Sequence, residues 1–178
     1  MASVEKACSS GVAQACHGLG ELWRDRMYKA GFPEGFSLAA KARSYFEPAC
    51  NGGVADGCGE AVWVTRHGDG TASRAFAVRG CDLGDLPACD LLADYLRDGF
   101  GGPIDADGAK RVEVELRASY TRRCRDGEMF DCANAGRMWR DGRGGPQDAK
   151  RAQEFFSSAC ADPASPACTM AKSLESER

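Results

Sequence analysis

Small and apolar residues recur along this chain at the three-to-four spacing of a helix, and strict alternation is scarce. After Cys132 they fall at Ala135, Gly136, Met138 and Trp139, with Gly142 as a stop. A Gly/Pro-rich loop follows. Asp148 then opens a second apolar series at Ala152, Phe155, Phe156 and Ala159. The stretch from Cys89 repeats this plan with Leu92, Ala93, Leu96 and Gly99. The one alternating run, "VEVEL", sits inside a helical frame. The pattern predicts an all-α chain built from repeated units of helix, loop and helix.

A cysteine frame punctuates the units. "CSSGVAQAC", "CNGGVADGC", "CDLGDLPAC", "CRDGEMFDC" and "CADPASPAC" contain all ten cysteines, each pair enclosing seven residues. Three positions after the first cysteine stand Gly11, Gly53, Gly84 and Gly127, and Pro163 in the fifth pair. Glycine suits a left-handed helix end and proline cannot continue a helix. The first cysteine therefore ends one helix, a tight turn reverses the chain, and the second lies in the first turns of the next. Antiparallel neighbours joined in this way bring the two sulfurs together. The expected bridges are Cys8–Cys16, Cys50–Cys58, Cys81–Cys89, Cys124–Cys132 and Cys160–Cys168. Second cysteines fall at uneven steps of 42, 31, 43 and 36 residues, which fits a helical solenoid with variable loops. Unit one has Arg26 where the others have Gly68, Gly99 and Gly142, and a longer loop; unit two, "RHGDGTASRAFAVRGC", has almost no loop.

Composition narrows the classes. A net charge of −3 with scattered basic residues gives a nucleic-acid partner no electrostatic support. No apolar run approaches the roughly 20 residues of a membrane span. Structural zinc sites use two- to four-residue spacers and often histidine; these spacers are seven, and His17 and His67 complete no ligand set. No metal or cofactor is expected. Paired cysteines place the chain in an oxidising compartment. "MASVEKACSS" has no signal-peptide core, so the expectation is an exported protein, periplasmic or extracellular, whose leader lies outside this chain, or one exported by another route.

These residues resemble the Sel1-like repeats, in particular the cysteine-rich subset known from secreted Helicobacter proteins. The carrying motif is a cysteine pair, then Leu-Gly/Ala, an aromatic, a Gly-rich loop and Asp-x-x-Lys-Ala. It appears as Cys16, Leu19, Gly20 and Trp23, and again as Cys132, Ala135, Gly136 and Trp139. The loops "DGFGGPIDADGAK" and "DGRGGPQDAK" carry the passage into the second helix. Unit two departs, with Ala61 and Val62 at the Leu-Gly pair and Trp63 out of register. The resemblance implies an α/α superhelical solenoid whose first helices line a concave face that holds peptides or proteins. It covers almost all of a single domain, residues 1–178, of about four to five helix pairs with partial repeats at both ends. It also brings two alternatives: a β-lactam or cell-wall peptide binder with weak hydrolase activity, and a mitochondrial-type respiratory-complex assembly factor in the intermembrane space.

The chemistry expected of an enzyme is thin. Ser3-x-x-Lys6 stands without a Ser-Asp-Asn or Lys-Thr-Gly. The "GFGG" and "GRGG" loops lack the Gly-Lys-Ser/Thr ending of a phosphate cradle and follow no strand. A non-catalytic scaffold or adaptor for a protein or peptide is the function expected. With positions three, four and seven after the second cysteine buried, as the resemblance implies, positions two, five, six and nine point elsewhere. From these, Trp63, Asp94, Tyr95, Asn134 and Arg137 are the expected binding residues on the concave face. For Trp63, Tyr95 and Met138 the competing expectation is packing against neighbouring repeats.

Overall fold

The computed structural model describes all residues except 1, 32, 33, 162, 165, 167 and 170–178, and of residue 36 the backbone alone. The expected C-terminal first helix thus lies largely outside the described residues. Among the described residues there are nine helices and no strand. They are α1 (Ala2–Ser9), α2 (Ala13–Ala30), α3 (Glu34–Asn51), α4 (Ala55–Thr65), α5 (Gly70–Asp82), α6 (Leu86–Asp98), α7 (Ala106–Arg125), α8 (Met129–Asp141) and α9 (Ala149–Ala159). The chain divides into two compact units, Met1–Ala106 and Asp107–Arg178.

Four of the five cysteine pairs are set identically. Cys8, Cys50, Cys81 and Cys124 are the penultimate residues of α1, α3, α5 and α7; Cys16, Cys58, Cys89 and Cys132 are the fourth residues of α2, α4, α6 and α8. Between them Gly11, Gly53, Gly84 and Gly127 take φ of 92°, 86°, 87° and 101°. The Gly84 N–H donates to the Cys81 carbonyl at 2.9 Å and the Asp85 N–H to the Gly80 carbonyl at 2.9 Å. This double closure ends a helix through one left-handed residue, and the other three turns repeat it. A side chain at these glycines meets nothing within 4 Å, so backbone conformation alone selects glycine there. All five expected bridges form, with Cα atoms 4.5–4.7 Å apart.

Helix ends follow the loop chemistry. Gly99 and Gly142 cap α6 and α8 in the left-handed conformation. Unit one, with arginine at that place, runs on to Ala30 before Gly31 stops it at φ 65°. α4 ends early at Thr65, and Gly68 lies in the turn beyond. The Asp148 carboxylate caps α9 by accepting from the Arg151 N–H at 3.0 Å.

Burial falls at positions three and four after each second cysteine: Leu19 and Gly20, Ala61 and Val62, Leu92 and Ala93, Ala135 and Gly136. Glycine at the second of these is a matter of size. A Cβ at Gly136 would stand 2.7 Å from the Phe156 ring, and one at Gly20 would overlap Phe46. Phe46 and Phe156 are fully buried four residues before a first cysteine. Unit two has the reverse composition in the same register, with Val62 on α4 and Ala77 on α5, both fully buried. Within the first unit α2 also touches α4, α4 touches α6, and α3 touches α5. First helices lie beside first helices and second beside second, as in a solenoid, where each repeat contacts its neighbours.

The Gly-Gly-Pro loops join one repeat to the one before it. A Cβ on Gly101 (φ 70°) would overlap the Gly70 carbonyl, and Gly102 lies against Arg74. Arg74 Nη1 donates to the Pro103 carbonyl at 2.8 Å. In the second unit Gly144 (φ 73°) rests on the Glu113 carbonyl, and Arg117 Nη1 donates to the Pro146 carbonyl at 3.1 Å. Gly70 and Glu113 each stand eleven residues before the first cysteine of their helix, and Arg74 and Arg117 seven before it. The glycines let a loop press on backbone.

Candidate functional site

A pocket of about 520 Å³ opens in the first unit, where the end of α2, the start of α3 and the end of α4 meet. Its walls are Met27 and Tyr28, Ala39 and Arg43, and Trp63 and Val64, closed by the turn from Arg66 to Asp69. Tyr28 and Trp63 are 64% and 43% exposed, so two large rings stand at the mouth with much of their area in water. The Arg66 guanidinium lies 3.6 Å over the Trp63 ring, and its Nε donates to His67 Nε2 at 3.0 Å. Arg43 Nη1 donates to Asp69 Oδ2 at 3.1 Å. The Ala72 N–H and Arg43 together hold the Asp69 carboxyl below its usual range. Apolar walls with a few convergent polar groups are what a binding cleft requires.

Of the expected binding residues, the structure brings Trp63 alone to this pocket. Asp94 is half-exposed on α6 and bonded by Arg97 at 3.1 Å. In the second unit Arg137 donates to Asn134 on α8, and both are half-buried. Tyr95 is a correction. It is 8% exposed, its hydroxyl is 3.0 Å from Ser73 Oγ on α5, and its ring lies 4.7 Å from Phe100 of the Gly-Gly-Pro loop. Met138, at the same register of α8, is 3% exposed. Position six after the second cysteine therefore faces inward on α6 and α8, because these helices pack against more than their own hairpin partner. Sequence reasoning passed over Arg43, although an arginine seven residues before a first cysteine recurs at Arg74 and Arg117.

A second polar cluster lies at the starts of α4 and α6. Arg24 on α2 pairs with Glu60 on α4. Asp85 caps α6, and its carboxylate sits so close to Gly59 that a Cβ there would overlap it. Burial, with the neighbouring Asp56 and Glu60 carboxylates, pushes the Asp85 carboxyl up to about 6 against the pull of the Ala88 N–H. The folded value lies above the unfolded 3.8. The stability linked to this group is therefore complete below the unfolded value and lost as pH rises through about 6. Asp85→Asn keeps the capping acceptor and removes the charge. It is expected to stabilise the fold by about 1 kcal/mol at pH 7.5, a figure discounted for solvent reaching the site, and to give no gain near pH 4. Denaturant midpoints of both proteins at the two pH values test this; equal differences at both would show that Asp85 carries no linkage.

Among the described residues no three metal-ligating side chains come together, and no helix is long and apolar enough to cross a membrane. The five bridges fit an oxidising environment.

Disulfide-clipped helix pairs joined by glycine-rich loops define an α-solenoid fold. No protein-family model matches the sequence, and no curated protein matches it. Solved structures do. A Sel1 repeat protein from Oxalobacter formigenes superposes with a TM-score of 0.58 at 17% identity, over 88% of this chain and 61% of that one. The protective antigen c5321 of uropathogenic Escherichia coli, which has the Sel1-like repeat fold, gives 0.58 at 18% identity, over 88% of this chain and 32% of its own. Helicobacter pylori cysteine-rich protein B aligns at 22% identity and a TM-score of 0.48, over 74% and 93%. The chain thus spans less than two thirds of the first two, and the likeness is one of fold.

Proposed function

We propose that the chain is a non-catalytic scaffold that binds a protein or peptide partner on the concave face of its first helices. The observation that carries this reading is the apolar pocket at Trp63, whose residue is 43% exposed beneath a stacked guanidinium. Trp63 and Asp94 in the first unit, and Asn134 and Arg137 in the second, are the contacts proposed; Tyr95 leaves the set because it is buried. Aromatic and arginine side chains carry much of the energy at protein interfaces. Solenoids expose extended surfaces for such use. The catalytic alternatives draw no support from Ser73 or His67, whose polar atoms bond to Tyr95 and Arg66. The paired cysteines and oxidising chemistry favour a periplasmic or extracellular site of action.

The test is a random-peptide selection on the oxidised protein, followed by affinities of enriched peptides for Trp63→Ala and Asp94→Ala. Loss of the aromatic anchor is expected to weaken binding roughly tenfold. A selection that enriches nothing, or affinities indifferent to both substitutions, would sink the reading.

A further inference from the structure

The Trp63 pocket occupies a position that is filled on α5 and on α7. Ala39 and Arg43 stand eleven and seven residues before Cys50, the register that Gly70 and Arg74 hold before Cys81 and Glu113 and Arg117 before Cys124. At the latter two places the Gly-Gly-Pro loop of the following repeat lies on the helix backbone. Its glycine presses on the carbonyl of Gly70 or Glu113, and its proline carbonyl takes a hydrogen bond from Arg74 or Arg117. The repeat that follows α3 has no such loop, since α4 ends at Thr65 and α5 begins at Gly70. Among the described residues, a pocket of about 520 Å³ stands over Ala39 and Arg43 in place of a loop. Arg43 donates from Nη1 to Asp69 and pairs through Nε with Glu47 at 3.6 Å, where Arg74 and Arg117 reach proline carbonyls.

We infer that this pocket is a vacant loop seat and takes a Gly-Gly-Pro segment of a partner polypeptide, with an apolar residue ahead of the glycines. The inference rests on the scaffold reading and names what one part of that scaffold recognises. Both filled seats set the glycine and the carbonyl; the apolar residue follows the first seat, with Phe100, and the apolar wall at Trp63, since the second seat has Arg143 there, paired with Glu113. Glycine is required where the segment crosses the helix, because a Cβ on Gly101 or Gly144 would overlap a backbone carbonyl. Two residues later a carbonyl must meet the arginine, as those of Pro103 and Pro146 do. Ahead of the glycines Phe100 lies over Gly70 and beside the Tyr95 ring; Trp63, Tyr28 and Met27 offer an apolar wall at the vacant seat. Proline stiffens the segment before it binds, which lowers the ordering cost.

The probe is the chain's own loop as a blocked peptide, acetyl-Asp-Gly-Phe-Gly-Gly-Pro-Ile-Asp-amide, titrated into the oxidised full chain while the indole N–H resonance of Trp63 is followed by NMR. Saturable displacement of that resonance is expected. Binding should weaken roughly tenfold when the peptide glycine corresponding to Gly101 is replaced by alanine, and by a similar factor for Arg43→Gln, which removes a charged donor. The peptide substitution leaves the protein untouched, so it decides the matter even if Arg43→Gln perturbs the fold. No saturation at millimolar peptide, or equal binding of the alanine peptide, overturns the inference. A concentration-dependent dimer abolished by Arg43→Gln would assign the seat to a second copy and also overturn it. Selected peptides that need Trp63 but contain no Gly-Gly-Pro would overturn this inference while leaving the scaffold reading standing.

Discussion

In reducing buffer the chain is expected to lose its helical signal at temperatures where the oxidised chain stays folded. Each bridge closes a nine-residue loop, worth about 2.5 kcal/mol in the chain-entropy account. A domain of this size has about 5–15 kcal/mol of stability in all. Removing five such constraints, even at half that value each, takes away most of the margin. The bridges are not equivalent. Cys50 and Cys58 are fully buried between α3 and α4, whereas α1 has no buried residue and is eight residues long. So short a helix is marginal alone, and Cys8–Cys16 is the covalent tie that holds it to α2. Replacing Cys8 and Cys16 by serine should therefore free α1 and leave the main unfolding midpoint nearly unchanged. Replacing Cys50 and Cys58 by alanine should lower stability by about 2–5 kcal/mol. Circular dichroism melts with and without reductant, and hydrogen exchange of α1 in the serine variant, are the measurements. Coincident melts would mean that packing alone holds the repeats.

The second large effect concerns Gly20 and Phe46. Phe46→Ala empties a fully buried site and is expected to cost about 3–5 kcal/mol. Gly20→Val drives a side chain into the Phe46 ring and is expected to cost about 1–3 kcal/mol. The two together recreate the composition that unit two already carries at Val62 and Ala77. The double variant should therefore be more stable than the sum of the single losses by about 1 kcal/mol or more, the coupling expected of side chains in contact. Chemical denaturation of the four proteins closes the cycle. Additive losses would show that the two positions do not share one volume.

The cysteine frame, the glycine turns and the buried pair after each second cysteine were legible because each is a property of one hairpin. Spacing alone places Gly84 at a left-handed turn and Leu92 in the core. Tyr95 was not legible in the same way. Its partners are Ser73 on α5 and Phe100 in a loop, and a helical wheel drawn for one hairpin cannot contain them. The pocket was harder still, since it arises from a connection that is short. The shortened unit two was visible in the sequence. What it leaves uncovered at Arg43 emerges only when Arg74 and Arg117 are seen holding proline carbonyls. The Val62 and Ala77 pair, which departs from the repeat consensus, proves to be a volume exchanged between two helices.

The uniform turns bear on how the chain acquires its bridges. Cysteines eight positions apart meet in a structure that needs only the end of one helix and the start of the next. A polypeptide emerging from its N-terminal side presents Cys16 with Cys8 as the nearest preceding thiol, and Cys58 with Cys50 as the nearest preceding thiol. Vectorial synthesis or translocation thus offers the second sulfur of each pair its nearest partner first, and hairpins of such low contact order close quickly. Ten cysteines allow hundreds of pairings on paper, yet closure onto the nearest preceding thiol narrows that search, and oxidation is expected to need little reshuffling afterwards.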